Sequence, residues 1–486
     1  MNKALLFFVL FLCSIPLFSQ KIFSEGEFDY KKPFAPYEIS LVKGISSNEF
    51  LLLGEYQKGV FKLSRFDEYF IDKWSQSIEF GKEGSFPALI KLGNEAIVFR
   101  FWINGNKATV EIRVFNIETG ALSRTTSKVI FESSEKDANI QLKFSESKSH
   151  FLIYSFNPDQ SSDIIFDIYS TATVDKIGSH KLHLEVASGK NLAPYLNDSG
   201  DVFVAVGDAG SFTMDTYYLK QNSSNVKLNS NFSFKRPADR FSSMRVLKQS
   251  ESTYMVIAIA NIEKELVGIN ASSYNVVLKS HLTSNTFNID QDFISEAYQE
   301  SIFTSENQKK KYISTPDKLI NTDLQEIIGD ANGNFTLIFE KQELPSTFHE
   351  LEKGLNFGMK WKEPEEIYYN SEDIILINID AEGTINWKKA IQKTQSSMGH
   401  GLTLSYLANP KSDNELQMVM KESAKGSSLF YFNIDLENGN TISSQGFIDD
   451  KIEINKNYCA WLSEKVLLLC GNKPGSTKRK YYFVEF

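Results

Sequence analysis

Asn197-Asp198-Ser199-Gly200-Asp201-Val202-Phe203-Val204-Ala205-Val206-Gly207 is a polar turn that runs straight into an unbroken apolar stretch. A run that continuous suits a β-strand buried on both faces, because a strand with one wet face alternates polar and apolar residues. The same two-part wording returns along the chain. Ser46-Ser47-Asn48-Glu49 precedes Phe50-Leu51-Leu52-Leu53-Gly54, Asp330-Ala331-Asn332-Gly333-Asn334 precedes Phe335-Thr336-Leu337-Ile338-Phe339, and Lys465 precedes Val466-Leu467-Leu468-Leu469. Eight such runs are centred near Leu52, Val98, Leu152, Val204, Ile257, Leu337, Val419 and Leu468. The steps between them are about 46, 54, 52, 53, 80, 82 and 49 residues, so two repeats carry insertions of roughly 30 residues. A period near fifty specifies a stacked or radial array of one supersecondary unit.

Behind each run lie a second strand, a turn and a third, more polar strand. Three of the turns share wording: Asn116-Ile117-Glu118-Thr119-Gly120, Asn378-Ile379-Asp380-Ala381-Glu382-Gly383 and Asn433-Ile434-Asp435-Leu436-Glu437-Asn438-Gly439. Their glycines supply the positive φ that such hairpins need. A four-stranded sheet cannot bury both faces alone, and a closed ring of sheets protects the strand edges. The expected fold is therefore an all-β propeller of seven or eight four-stranded blades. The chain ends in the strand-like Lys480-Tyr481-Tyr482-Phe483-Val484-Glu485-Phe486, which leaves the last unit short of an outer strand. A segment around Ile22–Tyr30 is expected to supply it and lock the ring. An outer-membrane barrel would need strict alternation, which Phe50–Leu53, Ile374–Ile377 and Val466–Leu469 break.

One unit has recognisable wording. Asp373-Ile374-Ile375-Leu376-Ile377-Asn378-Ile379-Asp380-Ala381-Glu382-Gly383-Thr384-Ile385-Asn386-Trp387-Lys388-Lys389 resembles the D-x-x-G-x-x-x-W blade of quinoprotein-like propellers. With the residues that follow, to about 400, it resembles uncharacterised secreted propeller-like proteins of environmental Gram-negative bacteria. That resemblance implies fold and compartment, and no activity comes with it. Quinoproteins repeat the docking tryptophan in most blades, whereas Trp74, Trp102, Trp361 and Trp461 read as out of register with Trp387. No cofactor is expected.

Met1 to Ser19 has the three parts of a secretory signal: Lys3, the apolar Ala4–Leu12, and Leu17-Phe18-Ser19 before Gln20. Cleavage is expected near Ser19, leaving one propeller domain over residues 20–486 in the periplasm or outside the cell. Cys13 lacks the small residue that precedes a lipidated cysteine. No other stretch approaches the roughly 20 apolar residues of a membrane span. A net charge of −9 argues against nucleic-acid binding by bulk electrostatics. If Glu464-Lys465 tips a hairpin, Cys459 and Cys470 lie opposite each other at a separation that admits a disulfide. Two buried free thiols are the other reading.

Sites for catalysis or metal are not expected. His180 and His183 stand three apart on a strand, which sends them to opposite faces. His349-Glu350-Leu351-Glu352-Lys353 ends in Lys353 where a zinc helix needs a second histidine. The acidic turns at Asp198–Asp201 and Asp330–Asn334 lack the ligand ladder of a calcium loop. Attention falls instead on the insertions, about residues 285–323 and 341–371. The first carries Ile294, Tyr298 and Ile302 at helical spacing, with Asp290 or Asp292 as cap. The second carries Phe348, Phe357, Trp361, Tyr368 and Tyr369, aromatics the repeat does not need and which anchor interfaces elsewhere. The expected function is a non-enzymatic binding or scaffold protein of the cell envelope, whose partner is an envelope protein or a glycan. The alternative is a propeller hydrolase or lyase acting on glycans.

Overall fold

The described residues form eight separate antiparallel sheets, and seven of them are threaded in sequence order from first strand to fourth. In the computed structural model the described residues are 21–29, 41–57, 59–80, 87–132, 140–156, 162–184, 190–208, 213–220, 226–231, 240–299, 301–302, 310, 318–330, 332–343, 368–393, 395–398, 406–412, 414–421, 428–449, 453–454, 458–472 and 478–486. Blades 1 to 7 comprise residues 42–79, 88–132, 140–184, 190–231, 240–288, 322–398 and 406–449. First strands of successive blades approach one another: Val42–Ser46 meets Ala88–Leu92, Lys190–Leu196 meets Arg240–Lys248, and Arg240–Lys248 meets Thr322–Gly329. They line the axis of a ring, so the chain is an eight-bladed β-propeller.

Closure uses both chain ends. In blade 8, Val466–Asn472 pairs with Lys478–Glu485, which pairs in turn with Lys21–Asp29, from Lys21 opposite Glu485 to Asp29 opposite Lys478. The expected outer strand is therefore present, and it comes from the other end of the sequence. Its neighbour's aromatic ring seals the seam, with Phe483 against Phe50 of blade 1 at 5.7 Å.

The apolar runs are the second strands. Phe50–Leu53, Ile97–Val98, Val202–Ala205 and Leu467–Leu468 are essentially inaccessible. Side chains from facing sheets interdigitate between blades, as Phe99 meets Phe151 at 5.3 Å and Phe203 stacks on Tyr254 at 4.7 Å. Burial of this kind contributes about 25 cal/mol per Å², and here it falls between sheets rather than in one central core.

A latch recurs at the rim. The Nε1 of Trp387, third in the outer strand Ile385–Ile391 of blade 6, donates to the Leu436 carbonyl in the turn of blade 7 at 2.8 Å. Trp74, third in Asp72–Glu79 of blade 1, donates to the Ile117 carbonyl in the turn of blade 2 at 2.7 Å. Trp74 thus shares the register of Trp387, against the expectation. Asp67-x-x-Phe70-x-x-x-Trp74 has the spacing of Asp380-x-x-Gly383-x-x-x-Trp387, with Phe70 at φ 60° in the glycine slot. Contacts of the Phe70 ring with Phe50 and Phe483, at 5.9 and 5.5 Å, offset that strain. In blade 2 the third outer-strand residue is Arg124, whose Nη1 donates to Ala172 of blade 3 at 2.6 Å.

Cys459 and Cys470 are both buried and are not joined by a disulfide. A bulge between Trp461 and Ser463 shifts the register, so that Ala460 faces Leu468 and the two cysteines are no longer directly opposed. The Cys470 backbone N–H instead donates to Cys459 Sγ at 3.1 Å. His180 is buried and His183 is exposed on the strand Lys176–Leu184, as their spacing requires. In the two acidic turns, side chains cap the backbone: Asn197 Oδ1 accepts from Ser199 and Asp201, and Asp330 Oδ1 from Asn332 and Asn334. Among the described residues no group of three or more His, Cys, Asp or Glu side chains is arranged to hold a metal. No helix among them is long and apolar enough to cross a membrane.

Candidate interaction surface on blade 6

Both insertions emerge at one end of the ring, where second strands connect to third strands and each blade leads into the next. The first insertion lies between blades 5 and 6. It opens with a helix, Gln291–Gln299, capped by the Asp290 carboxylate, which accepts from the Phe293 N–H at 3.1 Å. Phe293, Ile294, Ala297 and Tyr298 are its buried face, set into the packing between blades 5 and 6. The helix lies against the outer strand Ile385–Ile391, where Lys388 pairs with Glu296 at 2.5 Å and sits over the Phe293 ring at 4.6 Å. The helix is shorter than its expected stripe. Ile302 lies beyond its end and forms a parallel bridge to Ile391, with Ile302 N–H donating to the Ala390 carbonyl and Gln392 N–H to the Ile302 carbonyl, each at 3.2 Å. The insertion therefore covers part of the open edge of blade 6.

The second insertion interrupts the hairpin between the second and third strands of the same blade. Gln342 and Glu343 pair with Ser371 and Asn370, and Tyr368, Tyr369, Asn370 and Ser371 pair with Met398, Ser397, Ser396 and Gln395. The third strand, Tyr368–Ile379, thus changes partner along its length, from Ile385–Ile391 to Gln395–Met398. Where it does so the blade continues as a three-stranded ledge. Tyr368 and Tyr369 open the returning strand of that ledge. Phe348, Phe357 and Trp361 belong to the segment between its strands and lie outside the described residues.

Charged groups buried beneath the ledge hold it to the blade. Lys393 and Glu340 form an ion pair whose side chains are 0% and 1% exposed. Removing one partner of such a pair leaves an uncompensated buried charge, at a cost of about 3–5 kcal/mol. The Lys393 backbone N–H donates to Asp373 Oδ1 at 3.2 Å, and the Tyr298 hydroxyl from the helix donates to Asp373 Oδ2. Burial pushes the Asp373 carboxyl above the ordinary range, and these two donors act against that shift. Lys341 pairs with Glu372 at 2.5 Å. Across the interface, Tyr406 of blade 7 is buried beside Glu326 and Glu340, and burial with those carboxylates raises its hydroxyl well above the usual tyrosine range. Gln395 Nε2 donates to the Lys421 carbonyl of blade 7 at 2.6 Å.

The helix, the ledge and blade 7 are thereby joined through one polar network. Sequence reading named the tyrosines that leave the ledge and missed Glu340, Asp373 and Lys393. Glu340 simply continues the apolar run Phe335–Phe339, and its partner is 53 residues away.

No protein-family model and no curated protein matches the sequence. Among solved structures the chain is similar to Saccharomyces cerevisiae Sqt1, at 7% identity and TM-score 0.44 over 96% of this chain and 100% of that one. It is similar also to the WD40 domain of SCAP from fission yeast, at 9% identity and TM-score 0.38 over 92% and 96%. A third is a europium-containing methanol dehydrogenase, at 8% identity and TM-score 0.40 over 98% and 99%. These likenesses concern architecture alone, and the eight-bladed ring stands on its own strand pairing.

Proposed function

We propose that this chain is an exported binding or scaffold protein of the cell envelope, without catalytic activity, that engages an envelope protein or glycan through blade 6. The carrying observation is the three-stranded ledge, held by a buried ion pair and a docked helix, from which residues 344–367 depart and return. A rigid scaffold that bears a long connection is where binding tends to sit. Phe348, Phe357 and Trp361 give that connection anchors of the type that dominate interfaces. The signal-like Met1–Ser19 supports export, with the mature chain starting near Gln20. Trp361→Ala tests the reading in one residue. Affinity capture from an envelope fraction should lose the retained partner while the melting temperature stays unchanged. Equal capture by the wild type and the folded variant would overturn it.

A further inference from the structure

Exposed apolar side chains collect at one end of the ring. Of the twelve large hydrophobic residues that are exposed among those described, eight lie in the turns between third and fourth strands or in the first three residues of a fourth strand. That end is opposite the one from which the insertions emerge. Leu122, Ile177 and Ile442 are spread there singly over blades 2, 3 and 7, whereas blade 5 carries three, Val277, Leu278 and Leu282. Val277 and Leu278 are the most exposed of the twelve, at 73% and 70%. An apolar concentration of this kind marks a contact surface.

The blade 5 turn is built to the plan of its neighbours and differs in what it displays. Asn275 Oδ1 accepts from the Val277 and Leu278 N–H groups at 3.0 and 2.8 Å, and Lys279 follows at φ 52°. In blade 2, Asn116 Oδ1 accepts from the Glu118 and Thr119 N–H groups at 2.9 and 3.0 Å, and Gly120 follows at φ 69°. The apex that reads Glu118-Thr119 in blade 2 and Glu437-Asn438 in blade 7 is thus Val277-Leu278 in blade 5. Blades 1, 2, 3, 6 and 7 each place a carboxylate in this turn, at Glu68, Glu118, Asp175, Glu382 and Glu437. Residues 276–282 contain none, and Lys279 is their one permanent charge. Burial holds His281 below the ordinary histidine range, so it adds no charge at pH 7. In the adjoining turn, the Glu251 carboxylate is paired with Lys248 at 2.6 Å.

We propose that the Val277-Leu278 apex is a wedge that inserts into the headgroup boundary of a lipid bilayer. A convex apex of two aliphatic side chains needs a fitted pocket in a protein but none in a fluid bilayer, and the single aliphatics spread around the same end suit a planar partner. The Val276 N–H donates to the Ser252 carbonyl at 2.9 Å and Asn275 takes the next two, so three backbone donors at the apex enter lipid already satisfied. Lys279 is exposed beside them, placed to lay its stem along the acyl chains and its ammonium against lipid phosphates. The carboxylates of the other turns are repelled by those phosphates, which favours blade 5 as the point of entry. The wedge lies at the far end of the ring from the blade 6 ledge and acts independently of it.

Flotation of residues 20–486 with phosphatidylcholine vesicles tests this, the apolar residues 4–12 being left out because they would enter lipid themselves. The wild type should float with the vesicles. The double variant Val277→Ser, Leu278→Ser should partition about tenfold or more weakly, since two aliphatic side chains no longer leave water. Its melting temperature should not change, because both side chains are exposed. Tyr56→Ser, at an exposed position on the opposite end, should float as the wild type does. Failure of the wild type to float, or equal flotation by the wild type and the folded double variant, would overturn the proposal. If the wild type ignores vesicles and the double variant loses a captured envelope protein, the apex fills a protein pocket and the lipid wedge is overturned as well.

Discussion

Gly439 and Gly333 both sit at positive φ, 73° and 82°, yet only Gly439 has a neighbour where a side chain would begin. A Cβ on Gly439 would lie 2.7 Å from the Trp387 ring, whereas one on Gly333 would meet nothing within 4 Å. Alanine at either place adopts a left-handed conformation at a cost of about 1 kcal/mol. At Gly439 it must also displace the latch tryptophan, which adds about 1–3 kcal/mol of overpacking. Urea unfolding should therefore place Gly439→Ala well below Gly333→Ala in stability, and equal midpoints would contradict the latch. The same residue scale shows why one tryptophan was legible and the other was not. Gly383 announces its turn in the sequence, while Phe70 adopts the corresponding conformation under tertiary contacts that sequence cannot display.

At the scale of elements, the strand Lys21–Asp29 has the largest consequence for its length. It contributes the outer edge of blade 8 and is all that joins the two chain ends in one sheet. Deleting residues 21–29 should leave the edge of Lys478–Glu485 unpaired, lower the melting temperature and promote aggregation. An unchanged melting temperature and solubility would contradict closure by this strand. Its role was legible, because an aromatic terminal strand without a partner requires one from elsewhere. The repeat was legible for a related reason: second strands buried on both faces cannot hide their composition. The helix Gln291–Gln299 was legible from Ile294 and Tyr298, but its end was not. The pairing of Ile302 with Ile391 comes from a strand almost ninety residues later. The opposed cysteines failed on a single bulged residue, Leu462, since hairpin register follows turn and bulge geometry rather than symmetry about a tip.

On the scale of the whole molecule, the blades repeat a compact four-stranded plan with local variations, and among the described residues blade 6 is elaborated on both its rim and its end. Its helix covers the edge, its buried Lys393–Glu340 pair fixes the base of the ledge, and its long connection leaves from that base. The buried charges were invisible in the sequence because each partner is ordinary alone and only the ring brings them together. Interaction through this blade, on a scaffold that does not depend on the connection, is the central claim. The most direct measurement replaces residues 344–367 with a short Gly-Ser linker and follows melting and partner capture from the envelope fraction together. The account predicts a melting temperature within a few degrees of wild type, as a change of about 1 kcal/mol shifts a large domain by only a few degrees, with the partner lost. A folded linker variant that still captures the partner would contradict it.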